Sequence, residues 1–395
     1  MTGPSRRAGA RSIGGALRVL PGGGTGGAWG GGARGGGGRF HALGPIALEA
    51  GGPLPAVRLA YETWGTLAAD GSNAVLVEHA LTGDSHVTGP SGSGHPTPGW
   101  WDTMVGPGRP IDTDRWFVVA SNVLGGCQGT TGPSSPAPDG RPWGSRFPYV
   151  TVRDQVRAEV ALADALGVES WALVIGGSMG GMRALEWAVM EPSRVRAVAP
   201  VASTAESSGD QIAWAHAQLT AIRSDPAWHG GDFYEVGDGR GPVAGMGVAR
   251  QIAHATYRSA YELDVRFGRR AQDDEQPIGG GGRFAVQSYL DHHAVKLAGR
   301  FDPGSYVVLT ESILSHDVGR GRGGVEAALA GVTARPLVVA VDSDRLYLPE
   351  QSARTAAALP GSPASHVVHS DHGHDGFLIE IEQVGALVRE VLAQG

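Results

Sequence analysis

The stretch "WALVIGGSMGGMRALEWAV", residues 171–189, narrows the possible folds more than any other. An apolar run leads in, an apolar-periodic run leads out, and Ser178 stands between two pairs of glycines. A chain that passes from strand to helix in so few residues turns too sharply to tolerate a Cβ at every position. Gly176, Gly177, Gly180 and Gly181 remove that obstacle. The serine is thereby pushed out at the carboxyl edge of the sheet, beside a helix N-terminus. Strand–Gly-x-Ser-x-Gly–helix therefore asks for a parallel sheet with a helix packed on it, and it offers a nucleophile.

The flanking sequence supplies such a sheet. "VRLAYETWG" (57–65), "NAVLVEHAL" (73–81), "RWFVVASNVL" (115–124), "VRAVAPVAS" (195–203) and "RPLVVAVDS" (335–343) are short apolar runs bounded by turn residues, as strands buried on both faces should be. Helical patterns at 151–168 and 180–192 lie between them. The alternation predicts an α/β fold with a mostly parallel sheet flanked by helices. From 204 to 325 the strand pattern gives way to amphipathic helices at 209–226, 247–270 and 283–301, with a loop "QDDEQPIGGGG" that reads as mobile. This block interrupts the core, so it reads as an inserted helical lid (204–325) on an α/β core of 39–203 and 326–395. Glycine accounts for 64 residues, crowded into "PGGGTGGAWGGGARGGGGRF". Residues 1–38 accordingly read as a disordered extension.

Charge and cysteine content set limits on partners. With 32 Lys+Arg against 39 Asp+Glu, the formal net charge is -7, which argues against nucleic acid or an anionic membrane surface. The one cysteine, Cys127, allows no intramolecular disulfide and points to a reducing cytoplasm. No run approaches the roughly 18–20 apolar residues that a membrane helix needs. "MTGPSRRAGARSIGGALRVL" lacks a continuous apolar region, so no secretory signal is expected.

A serine hydroxyl is a weak nucleophile near neutrality and needs a base, itself oriented by a carboxylate. In this type of fold the partners follow in the order Ser, Asp or Glu, His. "VVAVDSDRLYLP" offers Asp342 and Asp344; Asp344 begins the loop and is the better placed. "VVHSDHGHDGFL" offers His369, His372 and His374, of which His374, flanked by Gly373, suits a loop tip facing the serine. A rival reading makes a metal cluster of these histidines with Asp371 and Asp375, though the spacing matches no familiar zinc motif. Oxyanion donors are expected at the backbone N–H of Met179 and, from the loop "EHALTGDSH", of Leu81. Cys127 in "GGCQG" reads as a small buried residue in a turn rather than a thiol nucleophile.

At these residues the sequence resembles the homoserine O-acetyltransferase family of the α/β-hydrolase fold. The likeness runs over about 40–392 and is carried by "HALTGDSH", "WWDTMVGPGRPIDTDRWFVVASNVLGGCQGTTGPSS", "GRPWGSRFP", "VIGGSMGGMRALEW", "DSDRLYLP" and "GHDGFL". It implies acyl transfer from a coenzyme A thioester to the hydroxyl of L-homoserine, the committed step towards methionine. It also implies Ser178 as nucleophile, Asp344 as acid and His374 as base. Arg250 in "ARQIAHATYRS" would grip the amino-acid carboxylate, and Tyr257, two helical turns on, would share that face. Asp375 would hold the ammonium, or else cap the following helix. Acetyl-CoA is implied as co-substrate, with no permanently bound cofactor, no metal and a homodimer. "GGCQGTTGP" is similar to the acetyl type. A succinyl donor, a serine acceptor, an esterase or thioesterase, and a catalytically silent scaffold are the alternatives. Gly376 departs from the family's usual alanine and should loosen the helix start.

Overall fold

The computed structural model describes residues 38–394 apart from positions 93, 280 and 363. The extension expected over 1–38 thus lies outside the described residues, save Gly38. The main strands are β1 (Arg39–Ala47), β2 (Pro53–Trp64), β3 (Ala74–Glu78), β4 (Phe117–Ser121), β5 (Leu173–Gly177), β6 (Ala197–Val201), β7 (Val339–Val341) and β8 (His366–Val368). They lie side by side in the order β1-β2-β4-β3-β5-β6-β7-β8. β1 and β2 form an antiparallel edge hairpin, and from β4 onward every pairing is parallel. β3, β5, β6 and β7 are buried along their whole length, which is why they read as continuous Val/Leu/Ala runs rather than alternating ones. Successive residues still face opposite ways: Val75 and Val77 join one core, Leu76 the other.

The helices follow as α1 (Val152–Leu166), α2 (Met179–Met190), α3 (Gly209–Arg223), α4 (Val243–Tyr257), α5 (Ala260–Arg266), α6 (Ala285–Ala298), α7 (Pro303–Leu314), α8 (Val325–Ala330), α9 (Pro349–Ala358), α10 (Gly376–Ile379) and α11 (Ile381–Ala393). α1, α2 and α9 make the crossovers between parallel strands, and α3 to α8 occupy the interval between β6 and the short strand Arg335–Pro336. Met179 and Met182 of α2 are buried in one cluster with Leu219, Met246, Ala249 and Leu297 from those interposed helices and with Phe301 between α6 and α7. No helix among the described residues is long and apolar enough to cross a membrane.

Two details differ from the sequence reading. The amphipathic run at 247–270 is not one helix. Arg258 is extended (φ -88°, ψ 144°) and the Ser259 side chain accepts the Glu262 N–H, starting a new helix. Ser259 with Glu262 three residues later is a capping signature that outweighs the continuous periodicity. The run at 335–343 divides likewise, into Arg335–Pro336 and Val339–Val341.

Candidate active site

β5 ends at Gly177 and α2 begins at Met179, so Ser178 makes the turn alone. Its backbone sits at φ 58°, ψ -123°. For a residue with a Cβ such a conformation costs about 1–3 kcal/mol and persists only where the surroundings over-determine it. Here they do. The Ser178 N–H donates to the Val201 carbonyl at 2.9 Å, and the Ser178 carbonyl accepts from Gly181 N–H at 2.9 Å and Ser203 Oγ at 2.7 Å. The glycines admit the close approach. A Cβ on Gly180 would overlap the Glu78 carbonyl, one on Gly176 the Gly180 backbone, and one on Gly177 the Phe377 ring.

β7 delivers two aspartates with separate partners. Asp342 Oδ2 lies 2.9 Å from Nδ1 of the exposed His369, while its Oδ1 accepts the Ser370 N–H. Asp344 Oδ2 lies 2.6 Å from Nδ1 of the buried His374, and its other oxygen accepts the N–H groups of Leu346 (2.8 Å) and Tyr347 (3.0 Å). With Nδ1–H committed to Asp344, Nε2 is the atom left to exchange a proton. Gly373, at φ +66°, lets the turn bearing His374 pack against the end of α4; a Cβ there would overlap the Tyr257 carbonyl. Burial works to lower the His374 pKa. The Asp344 charge and hydrogen bond, helped by Asp375, outweigh it and hold the imidazole above its ordinary value.

That shift has a testable sign. An imidazole must be neutral to take a proton, so any rate that uses His374 Nε2 as acceptor should rise with pH through an inflection above the unperturbed histidine value of about 6.5. In Asp344→Asn both contributions of Asp344 are lost, and only the smaller one of Asp375 still opposes burial. The inflection should then move down, while kcat falls on the order of 10^4-fold as the tautomer is lost. Profiles of kcat/KM against pH for both proteins provide the check.

Ser178 and His374 both line a cavity of about 200 Å3, and Leu81, Arg250, Tyr257 and Asp375 line it too. The Arg250 guanidinium carbon lies 5.7 Å from the Tyr257 ring centroid, and the Tyr257 and His374 rings are 5.5 Å apart. Met179 opens α2, so its N–H is one of the four without an intrahelical acceptor. The Leu81 loop is held from behind by buried His79. Its Nε2 accepts the Val123 N–H at 3.0 Å, so Nδ1 carries the hydrogen and donates to the Ala80 carbonyl at 2.8 Å. Burial and the charge of Arg183 bring His79 down to about 3, so it stays neutral in this role. Asp375 is already engaged, with Oδ2 3.0 Å from Arg258 Nη2, and makes no side-chain cap for α10.

The histidines of the metal reading go to different carboxylates. His369 pairs with Asp342 and His374 with Asp344, while His372 Nδ1 lies 3.5 Å from Glu262. Glu62, His86 and His95 do bring donor atoms within 4.8 Å of one another. Their imidazoles, however, stack face to face at 3.7 Å with planes 8° apart, so their in-plane lone pairs do not converge on one ion. Cys127 is buried, and burial with the Asp302 charge pushes its thiol up to about 12, far from a thiolate nucleophile. The sequence reading passed over Trp100 and Arg300, which also line the cavity, and Tyr347, whose ring is 5.1 Å from His374. Arg300 lies in "AGRF" just beyond a helix end, with no spacing to any other polar group that would single it out.

Comparison with known proteins separates fold from family. An α/β-hydrolase-fold family model matches residues 73–380. A homoserine O-acetyltransferase from Thermobifida fusca (strain YX) is 66% identical over 350 residues, covering 89% of this chain and 92% of that protein. The crystal structure of homoserine O-acetyltransferase from Bacillus anthracis superposes with a TM-score of 0.82 at 25% identity, covering 90% of this chain and 97% of that one. Esterase E22 superposes almost as well, with a TM-score of 0.81 at 26% identity over 90% of this chain and 99% of its own. Proteins named esterase and transferase thus share this backbone, and the sequence identity decides: this chain is a member of the homoserine O-acetyltransferase family.

Proposed function

We propose that the chain moves the acetyl group of acetyl-CoA to the side-chain hydroxyl of L-homoserine through an acetyl-Ser178 intermediate, the committed step towards methionine. His374 Nε2 takes the Ser178 proton as Oγ attacks the thioester carbonyl. The N–H groups of Leu81 and Met179 receive the oxyanion, the C–S bond breaks, and the thiolate leaves with the proton from His374. The homoserine hydroxyl then attacks the acetyl-serine, gives its proton to His374, and Ser178 recovers it. Arg250 takes the acceptor carboxylate, backed by Tyr257, and Asp375 the ammonium. The observation that carries the reading is the buried Asp344–His374 pair opening on the cavity that Ser178 also lines.

Transfer instead of hydrolysis requires that the acceptor outcompete water. Positioning can contribute on the order of 7–11 kcal/mol, which suffices. Residues 204–325 act as the lid that supplies it: Arg250 and Tyr257 sit on α4, within that block. We read the assembly as a cytoplasmic homodimer, supported by the single cysteine and by the half-exposed Ile212, Trp214 and Val248 on the lid helices.

The test is a thiol-release assay crossing acetyl-CoA and succinyl-CoA with homoserine and serine. Acetyl-CoA with homoserine should be fastest. Rapid thiol release with no acceptor would make the chain a thioesterase, and preference for succinyl-CoA would reassign the donor. Arg250→Ala should raise the homoserine KM on the order of 30-fold or more with little change for acetyl-CoA. If both constants move together, Arg250 is structural.

A further inference from the structure

The cavity holds more positive charge than a single anchoring arginine accounts for. Arg300 follows α6 and reaches the same space as Ser178 and Arg250. Its backbone is fixed from both sides. The N–H donates to the Leu297 carbonyl at 2.9 Å, the carbonyl accepts from Gln128 Nε2 at 2.8 Å, and the neighbouring Phe301 is buried. From that base Nη2 donates to the Thr82 carbonyl at 2.8 Å, in the loop that also carries Leu81.

What Arg300 lacks is a counterion. Arg153, Arg183 and Arg258 each sit within 3.0 Å of a carboxylate oxygen, but among the described residues neither Arg300 nor Arg250 has one within 4.0 Å. Two guanidiniums facing one small cavity repel each other. Burial and the Arg250 charge press the Arg300 pKa down, against the opposing pull of Asp84. Such an arrangement is unfavourable while the site is free of anions and is relieved when an anion arrives. An active site built to bind a negative group shows this signature.

Counting the charges of the ligands indicates which anion this is. The acceptor amino acid brings one carboxylate and one ammonium, and Asp375, though also paired with Arg258, is the carboxylate that lines the cavity. An acetyl thioester is neutral at its reacting end. Its phosphates lie a whole pantetheine arm away from the carbonyl that must meet Ser178. The acceptor carboxylate is therefore the anion left for both guanidiniums. We propose that Arg300 and Arg250 form a two-guanidinium seat for the carboxylate of the acceptor. This role for Arg300 rests on the reading of the Ser178 cavity as the acyl-transfer site. It defines the acceptor class as hydroxy amino acids with a free carboxylate. Both arginines come from the 204–325 block, Arg250 from α4 and Arg300 from just beyond the end of α6. Carboxylates engaged by two guanidiniums are held in orientation as well as place.

The experiment uses the full chain with Arg300→Met, which keeps most of the stem but loses the charge, and Arg300→Lys, which keeps the charge but loses the fork. Thiol release is measured against homoserine concentration, and acylation by acetyl-CoA alone is followed by intact mass. The Met variant should raise the homoserine KM on the order of 30-fold or more, with acylation slowed far less. Arg300→Lys should fall between it and the parent protein. The parent should prefer homoserine strongly over 3-amino-1-propanol, which lacks the carboxylate, and in Arg300→Met that preference should shrink by a similar factor. Effects of Arg250→Ala and Arg300→Met should be non-additive, because the two share one ligand group. The proposal is overturned if either variant slows acylation as much as it weakens homoserine use, because Arg300 would then act through Thr82 on the oxyanion loop. An unchanged homoserine KM in a folded Met or Lys variant overturns it too, as does an altered choice between acetyl-CoA and succinyl-CoA with homoserine use intact. Failure of the unmodified chain to release thiol with homoserine would instead remove the underlying reading.

Discussion

Ser178→Ala lowers homoserine-dependent thiol release on the order of 10^4-fold or more and leaves no acetylated protein after incubation with acetyl-CoA. The loss is chemical and not structural. The bonds that hold the turn run through the Ser178 backbone, to Val201, Gly181 and Ser203, and alanine keeps all of them. The strained φ of 58° is no worse for alanine than for serine. The melting temperature should therefore barely move while activity vanishes. Intact-mass measurement is decisive: an acetyl adduct of normal yield on the alanine protein would mean that another group is the nucleophile.

Arg183→Met has the opposite profile. Arg183 is fully buried, with Nη1 2.6 Å from Glu78 and 2.7 Å from Glu159, and Nη2 2.6 Å from the His79 carbonyl. One guanidinium cannot neutralise two buried carboxylates. Burial pushes Glu78 well above the usual carboxylate range, and the Glu159 charge adds to this against the pull of Arg183. Of the two carboxylates beside Arg183, Glu78 is the one whose burial favours the protonated form. Methionine fills much of the volume but strands Glu159 without a cation, a cost of about 3–5 kcal/mol. Urea unfolding should register that loss. Glu78→Gln, which imitates the protonated carboxyl, should cost far less. A small effect of Arg183→Met alongside a large one of Glu78→Gln would show that Glu78 is ionised. The same change frees the His79 carbonyl, so any folded Arg183→Met protein should also acylate slowly through a loosened Leu81 loop.

Sequence displayed the sheet and its elbow clearly because both depend on local rules. Full burial writes β3, β5 and β6 as apolar runs, and a turn too tight for a Cβ writes glycine around Ser178. The placement of Asp344 and His374 could be anticipated because strand ends deliver them in chain order. Other features were hidden because they depend on contacts across long stretches of chain. β8 has three residues and α7 is buried nearly all round, so neither carries a periodicity of its own. Arg300 enters the cavity only after 218 residues of chain have brought it to Thr82. The break at Ser259 is encoded locally, by capping residues three positions apart, but the periodicity on both sides masks it.

The methionines that open α2 bear on any attempt to alter acceptor choice by transplanting helices from a relative. Met179 and Met182 are packed into the same apolar cluster as α3, α4 and α6. A grafted segment with different inward-facing bulk would lean on the first turn of α2, next to Ser178. Chimeras that swap α3, α4 and α6 while keeping the host's residues at 179 and 182 should therefore lose turnover with every substrate, native and foreign alike. Exchanging those two residues together with the graft is the economical repair.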